Sequence, residues 1–230
     1  MALAQLAGWT IAFDLDGTLV DTAPDLLRAL DAVMDLEGLQ RPPANALRGM
    51  VGHGARALIE QATARIGVRL EPARLDAATA TFIEIYRSDI AAQSRPFPGV
   101  EAALADLAAA GATLAVCTNK RTDLSQELLD ALDLSKRFAA IVGADAVTQR
   151  KPHPDHYRAT IARAGGEVRR SVMVGDTAAD VESAQGAGAP CVVVRFGYTG
   201  AAPESLGAEA LIDHYDELGA TLARLAATRS

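Results

Sequence analysis

Asp14 and Asp16 stand two residues apart at the end of a short apolar run, within Ile11-Ala12-Phe13-Asp14-Leu15-Asp16-Gly17-Thr18. Two carboxylates held that close repel, so a cation is the natural compensation, and oxygen ligands suit Mg²⁺ better than a softer metal. If the apolar part is a central strand, Asp14 emerges at its carboxyl end, where open α/β sheets place their ligands. Taken alone, the run also fits a plain strand followed by an Asp-Gly turn.

Three further segments weigh against that plainer alternative. Leu114-Ala115-Val116-Cys117 is a second apolar strand candidate ending in Thr118-Asn119-Lys120, where a hydroxyl and the first N–H groups of a helix suit a phosphate oxygen. Lys151 lies in Lys151-Pro152-His153-Pro154, with Pro154 suited to the first helical position and Pro152 stiffening the approach, so its charge is held in place. Ser171-Val172-Met173-Val174 runs into Gly175-Asp176-Thr177-Ala178-Ala179-Asp180, where one acid can face a metal while the other braces its surroundings. Each segment has a bland reading as a cap or a surface charge. Their fixed order at the ends of alternating strands does not.

In that order the four segments resemble the motifs of the haloacid dehalogenase superfamily: Asp-x-Asp-x-Thr, a strand-ending Ser or Thr, a lysine, and Gly-Asp-x-x-x-Asp. The resemblance extends to the segment around Gly197. Within the superfamily the chain is most similar to the phosphoglycolate phosphatases and their near relatives, through Val20-Asp21-Thr22-Ala23-Pro24-Asp25-Leu26, Val51-Gly52-His53-Gly54-Ala55, Thr118-Asn119-Lys120 and Phe196-Gly197-Tyr198.

The resemblance implies an α/β fold, a Rossmann-like parallel sheet core with an inserted α-helical cap. It also implies a phosphoric monoester hydrolase acting on a small phosphorylated metabolite, 2-phosphoglycolate first and a sugar phosphate or related ester second. Asp14 would be the nucleophile that forms an aspartyl phosphate. Asp16 would protonate the leaving alcohol and then activate water, in surroundings that favour its protonated form. Mg²⁺ would be held by the Asp14 carboxylate, the Asp16 main-chain carbonyl and Asp176. Thr118 and the N–H of Asn119 would hold phosphoryl oxygens, Lys151 would neutralise phosphate and Asp14, Thr18 falls among the substrate-binding residues, and Asp180 supports the metal's surroundings.

Rival readings meet specific objections. A phosphomutase needs a cluster of cap arginines and lysines that the sequence does not show, and a dehalogenase has no use for the acid at Asp16. A catalytically inactive binding protein of the same fold would normally carry a broken motif. Receiver domains lack an insertion of this size.

The elements that must position these residues are legible as periodicities. From Thr22 to Ser94 only helical spacing appears, on stripes through Leu26, Leu30, Val33 and Met34, through Leu58, Ile59, Ala62 and Ile66, and through Leu75, Ala78, Phe82 and Ile85. Residues 22–94 are therefore expected to form a helical cap inserted into a core of residues 1–21 and 95–230, re-entered through Arg95-Pro96-Phe97-Pro98-Gly99. Helices over 100–110, 121–132, 154–164 and 178–186 alternate with strands over 113–117, 139–143, 171–175 and 190–194, which predicts a parallel sheet. Leu211-Ile212 suggests a last strand before a C-terminal helix. Within the cap, His53 sits between two glycines where backbone can approach a ligand, and Arg56 follows; a substrate role and a plain interhelical turn both fit. His153 and His156 are expected to be surface histidines at a helix start.

Composition narrows the partners. The 230 residues are half hydrophobic, and the net charge of −7 repels nucleic acid and acidic lipid in bulk, so an anionic substrate must be attracted locally. No targeting or membrane-spanning segment stands out, and Cys117 and Cys191 read as reduced core thiols. The expectation is a cytoplasmic monomer or homodimer, without nucleic-acid or membrane partners.

Overall fold

The computed structural model describes residues 2–52 and 54–229. In chain order the elements are β1 (Thr10–Phe13), β2 (Val20–Asp21), α1 (Ala23–Leu36), α2 (Ala44–Leu47), α3 (Ala55–Arg65), α4 (Pro72–Ser88), β3 (Arg95–Pro96), α5 (Val100–Ala109), β4 (Thr113–Cys117), α6 (Thr122–Ala131), β5 (Ala140–Val142), α7 (Pro154–Arg163), β6 (Ser171–Gly175), α8 (Ala178–Ala187), β7 (Cys191–Val194), β8 (Ala210–Ile212) and α9 (Leu218–Ala227).

Every pairing in the six-stranded sheet is parallel, in the order β5-β4-β1-β6-β7-β8. Counted along the chain this is the doubly wound order 3-2-1-4-5-6. The order reverses between β1 and β6, so the carboxyl ends of these two strands face the crevice where such sheets bind ligands.

The strands read as near-continuous apolar runs because both faces are covered. Ile11 and Phe13 of β1, Val172 and Val174 of β6, and Val192 and Val194 of β7 join one core with Leu104 and Leu107 of α5 and Leu218 and Leu222 of α9. The alternate residues Ala12, Met173, Cys191 and Val193 join a second core with Tyr157 and Ile161 of α7 and Val181 of α8. Both cysteines are free and buried.

Between β2 and β3 the chain is helical, as the periodicity predicts, with the stripe residues of α1, α3 and α4 burying one another. That apolar cluster is not closed on itself, since Leu124 of α6 and Tyr198 contribute to it. The proline-containing re-entry segment is more ordered than a bare hinge: Val20 and Asp21 pair antiparallel with Pro96 and Arg95. Two devices that the sequence did not announce clamp this junction. Asp25 accepts the N–H groups of Gln93 and Ser94 at 2.9 and 2.7 Å and the Ser94 hydroxyl at 2.7 Å. The Tyr198 hydroxyl donates to Asp21 Oδ1 at 2.5 Å and accepts the Ala23 N–H at 2.9 Å. Among the described residues no helix is long and apolar enough to cross a membrane.

Candidate active site

Asp14 leaves β1 still in register, its N–H donating to Val174 O at 2.9 Å, and so its carboxylate emerges beside the end of β6. There it meets Asp176 and Asp180, and one oxygen from each of the three lies within 4.8 Å of the others. The crowding depends on backbone without side chains. A Cβ on Gly175 would stand 2.3 Å from the Asp180 carboxyl carbon, and one on Gly197 would stand 2.2 Å from the Asp176 Cβ.

Each acid is held from several sides. Asp176 accepts the Thr18 hydroxyl at 3.0 Å on Oδ1 and the Tyr198 N–H at 2.6 Å on Oδ2. Asp180 caps its own helix, accepting the Thr177 N–H and hydroxyl at 3.0 and 2.8 Å on Oδ2, and Lys151 Nζ at 2.6 Å on Oδ1. Lys151 Nζ also lies 3.0 Å from Asp14 Oδ1. That contact is an ion pair without hydrogen-bond alignment, for Asp14 Oδ1 is buried with no hydrogen-bond partner among the described residues.

Lys151 is fixed in turn by its backbone. Its N–H donates to His156 Nδ1 at 3.2 Å, its carbonyl accepts Asn119 Nδ2 at 3.0 Å, and His156 Nε2 sits 3.1 Å from Val142 O. These partners assign a neutral imidazole protonated at Nε2. Burial, with Lys151 adding to it, pushes the histidine down to about 4. His156 is therefore not a surface residue, as the sequence suggested, but a fully buried spacer between β5 and the lysine loop. His153 is the helix cap, accepting the Asp155 N–H at 3.2 Å.

The Asp16 side chain turns away from this cluster. Its Oδ1 accepts the Thr22 hydroxyl at 2.7 Å and Lys120 Nζ at 3.0 Å, and the lysine reaches Oδ2 at 3.3 Å. Both partners donate to the carboxylate. Of the metal ligands expected at Asp14, Asp16 and Asp176, the carboxylates that cluster are those of Asp14, Asp176 and Asp180, so a part for Asp16 would fall to its main-chain carbonyl.

Four buried acids face two buried ammonium groups, Lys120 and Lys151, leaving an excess of two negative charges when all are ionised. Burial raises Asp14 to about 6 despite the opposing pull of Lys151, and burial together with Asp14 raises Asp176 well above the usual carboxylate range. Burial works against both lysines as cations, yet their carboxylate neighbours outweigh it and hold them above the ordinary lysine value. An all-oxygen site short of two positive charges, with an Asp14 oxygen that accepts no hydrogen bond among the described residues, fits a hard divalent cation.

The other expected residues divide. Thr118 closes β4, and its Oγ1 accepts the Lys120 N–H at 3.2 Å, which leaves the hydroxyl hydrogen for another acceptor. Thr18, expected to touch substrate, is fully buried with its hydroxyl on Asp176. Arg56 lies half-exposed on α3, paired with Asp76 and 3.6 Å from Glu60. His53 lies outside the described residues. Lys120 and Thr22, which hold the Asp16 carboxylate, are functional-site residues that sequence reasoning misses. Their signals were a lysine two residues past the strand-ending threonine and a threonine opening the first helix. A cavity of about 420 Å³ adjoins the site between the inserted helices and the core; it does not include the carboxylates but is walled by Asn119 and Lys120.

Acids from two central strands at the point where the sheet order reverses, with a lysine between them, define a hydrolase of the haloacid dehalogenase-like family. The family's sequence profile matches residues 11–194, and the chain belongs to it. Among its relatives, the chain is 49% identical to a phosphoglycolate phosphatase of Caulobacter vibrioides over 93% of this chain and 90% of that one. It is 44% identical to a phosphoglycolate phosphatase of Mesorhizobium japonicum, over 93% and 94%. The crystal structure of a predicted phosphoglycolate phosphatase from Haemophilus somnus 129pt superposes with a TM-score of 0.85 at 27% identity, covering 91% of this chain and 95% of that one.

Proposed function

We propose that this chain is a Mg²⁺-dependent phosphatase that hydrolyses a small phosphate monoester, 2-phosphoglycolate first, through an aspartyl phosphate on Asp14. The observation that carries the reading is the Asp14 carboxylate itself, buried at a strand end against Lys151 with Asp16 two residues on. The names of the relatives support the substrate.

An Asp14 oxygen attacks phosphorus as the phosphorus–alkoxide bond breaks, and Asp16 delivers a proton to the departing oxygen. In the second half Asp16 takes a proton from water, whose oxygen attacks phosphorus and returns the Asp14 carboxylate with release of phosphate. Lys151, held by Asp180, offsets charge on the nucleophile and the phosphoryl group, while Thr118 and Asn119 orient phosphoryl oxygens. Asp14, Asp176 and the Asp16 carbonyl would hold Mg²⁺, with Thr18 positioning Asp176. When bound, the ion would screen anionic nucleophile from anionic substrate.

Residues 22–94 act as a cap over a core of residues 1–21 and 95–230, and substrate-contacting roles for His53 and Arg56 belong to the same proposal. The reduced, buried thiols suit a cytoplasmic enzyme, monomeric or homodimeric. One observation favours a second reading as a sugar-phosphate phosphatase: about 420 Å³ is more space than a two-carbon group fills.

The test is phosphate release by metal-stripped enzyme restored with Mg²⁺, comparing kcat/KM across 2-phosphoglycolate, ethyl phosphate and hexose phosphates. Acid-quenched protein is examined in parallel for one added phosphoryl mass. Preference for 2-phosphoglycolate with a phosphorylated Asp14 peptide is the expected result; a hexose phosphate turned over faster would move the assignment to the second reading.

A further inference from the structure

The cavity beside the catalytic cluster is walled by Gly54, Phe82 and Tyr86 from the inserted helices and by Asn119, Lys120 and Arg150 from the core. One of these residues, Tyr86, lacks the partner its burial requires, and another, Arg150, is an exposed guanidinium without an ion pair among the described residues. The Tyr86 hydroxyl is buried with no hydrogen-bond partner among the described residues. Lys120 Nζ lies over the Tyr86 ring, 4.4 Å from its centroid, and an ammonium can only donate, so the phenol hydrogen has no acceptor. Native structures fill such a donor with a ligand or ordered water. Arg150 makes no ion pair among the described residues. Arg56, on the same cavity, is already engaged by Asp76 and Glu60. Arg121, also on the cavity, is paired with Asp123, so among the described residues lining it the guanidinium left open to a ligand is that of Arg150, next to Lys151 in sequence.

Resting on the phosphoglycolate reading, we propose that Tyr86 and Arg150 recognise the carboxylate of the substrate. A carboxylate supplies the acceptor that the phenol lacks and the anion that the guanidinium lacks. Asn119 and Lys120 belong both to this cavity and to the catalytic surroundings, Lys120 through its 3.0 Å contact with Asp16. A substrate with its phosphoryl group on Asp14 therefore directs its remaining atoms past these two side chains into the cavity. Phe82 stacks beside Tyr86, with ring centroids 6.3 Å apart, and adds an apolar wall to the same end of the cavity. Specificity then comes from one residue of the insert and one of the core, and is complete only when the two face each other.

The experiment compares 2-phosphoglycolate with ethyl phosphate, in which a methyl group replaces the carboxylate, using wild type, Tyr86→Phe, Arg150→Ala and Arg150→Lys. Tyr86→Phe keeps the ring over Lys120 and removes only the hydroxyl. The expected result is a loss of roughly tenfold in kcat/KM on 2-phosphoglycolate for Tyr86→Phe and Arg150→Ala, mostly through KM, with less than about twofold change on ethyl phosphate. Arg150→Lys should recover part of the loss. Equal losses on both esters, or no loss on either, overturn the proposal while leaving the phosphoglycolate reading intact. A wild-type enzyme that treats the two esters alike removes that reading, and the carboxylate site with it.

Discussion

The strand ends of the core and the inserted helices handle charge in opposite ways. At the strand ends, acids and lysines are buried, and each is held by groups from several elements, as Asp176 is by Thr18 and Tyr198. In the insert most charged pairs lie on the surface, the pair of Arg28 with buried Asp25 excepted. Arg41 meets Asp35, Arg74 meets Glu37 and Arg56 meets Asp76, with arginines roughly half-exposed. Pairs of that kind are worth ~0–1 kcal/mol, whereas breaking a buried pair costs ~3–5 kcal/mol. The candidate catalytic groups are therefore buried and held from several sides, while the insert is held together by apolar packing with most of its charges at the surface. The two meet at Asp25 and Tyr198, and Tyr198 touches both Asp176 and the start of α1.

Breaking the core side should have the largest effect. Asp14→Asn removes the proposed nucleophile while keeping the side chain's shape, and kcat should fall at least a thousandfold with circular dichroism unchanged. Turnover above a few per cent of wild type, in a preparation free of contaminating phosphatase, would remove Asp14 from the chemistry.

Metal and pH sharpen the same contrast. Asp14 is raised from 3.8 to about 6 and Asp176 is likewise raised well above the usual carboxylate range, so the folded chain holds protons that the unfolded chain has released. As far as these groups are concerned, metal-free protein loses stability as pH rises from about 4 through 6. A cation takes over where the protons leave. Mg²⁺ should therefore raise Tm more at about pH 7.5 than at about pH 5, and EDTA should abolish activity reversibly. A Tm response independent of pH would mean that the cation binds away from these carboxylates.

The smallest effect is expected at the junction. Burial opposes ionisation of Asp25, but its hydrogen bonds from Ser94 and Gln93 outweigh that and hold it below the usual range. Its contribution to stability is present above the ordinary carboxylate value and is lost as pH falls through the depressed one. Asp25→Asn turns donors toward donors, at a cost of about 2–3 kcal/mol and a Tm lower by roughly 5–10 °C, while kcat stays within about threefold. A large loss of kcat at unchanged Tm would show that the junction sets the chemistry rather than holding the insert.

Much of this architecture was legible because its signals are local. Period-two alternation places Ile11 and Phe13 on one face of the sheet and Ala12 on the other, and strand-end acids need only a strand to aim them. His156 misled because a helix start looks exposed in sequence; its burial depends on β5 and α7 packing over the lysine loop. Lys120 carries no comparable local signal because its partners, Asp16 and Tyr86, are remote along the chain.

The sequence by itself determined the alternating elements, the all-helical stretch between β2 and β3, and the residues that can carry phosphoryl chemistry, since these follow from periodicity and from side-chain type. Only the tertiary structure decided which acids share a site and which cations remain uncommitted. Thr18 went to Asp176, the Asp16 carboxylate to Lys120, Arg56 to Asp76, while Arg150, on the cavity, has no ion pair among the described residues. Pairing energies depend on distance and burial, and neither is written in the spacing of residues along a chain.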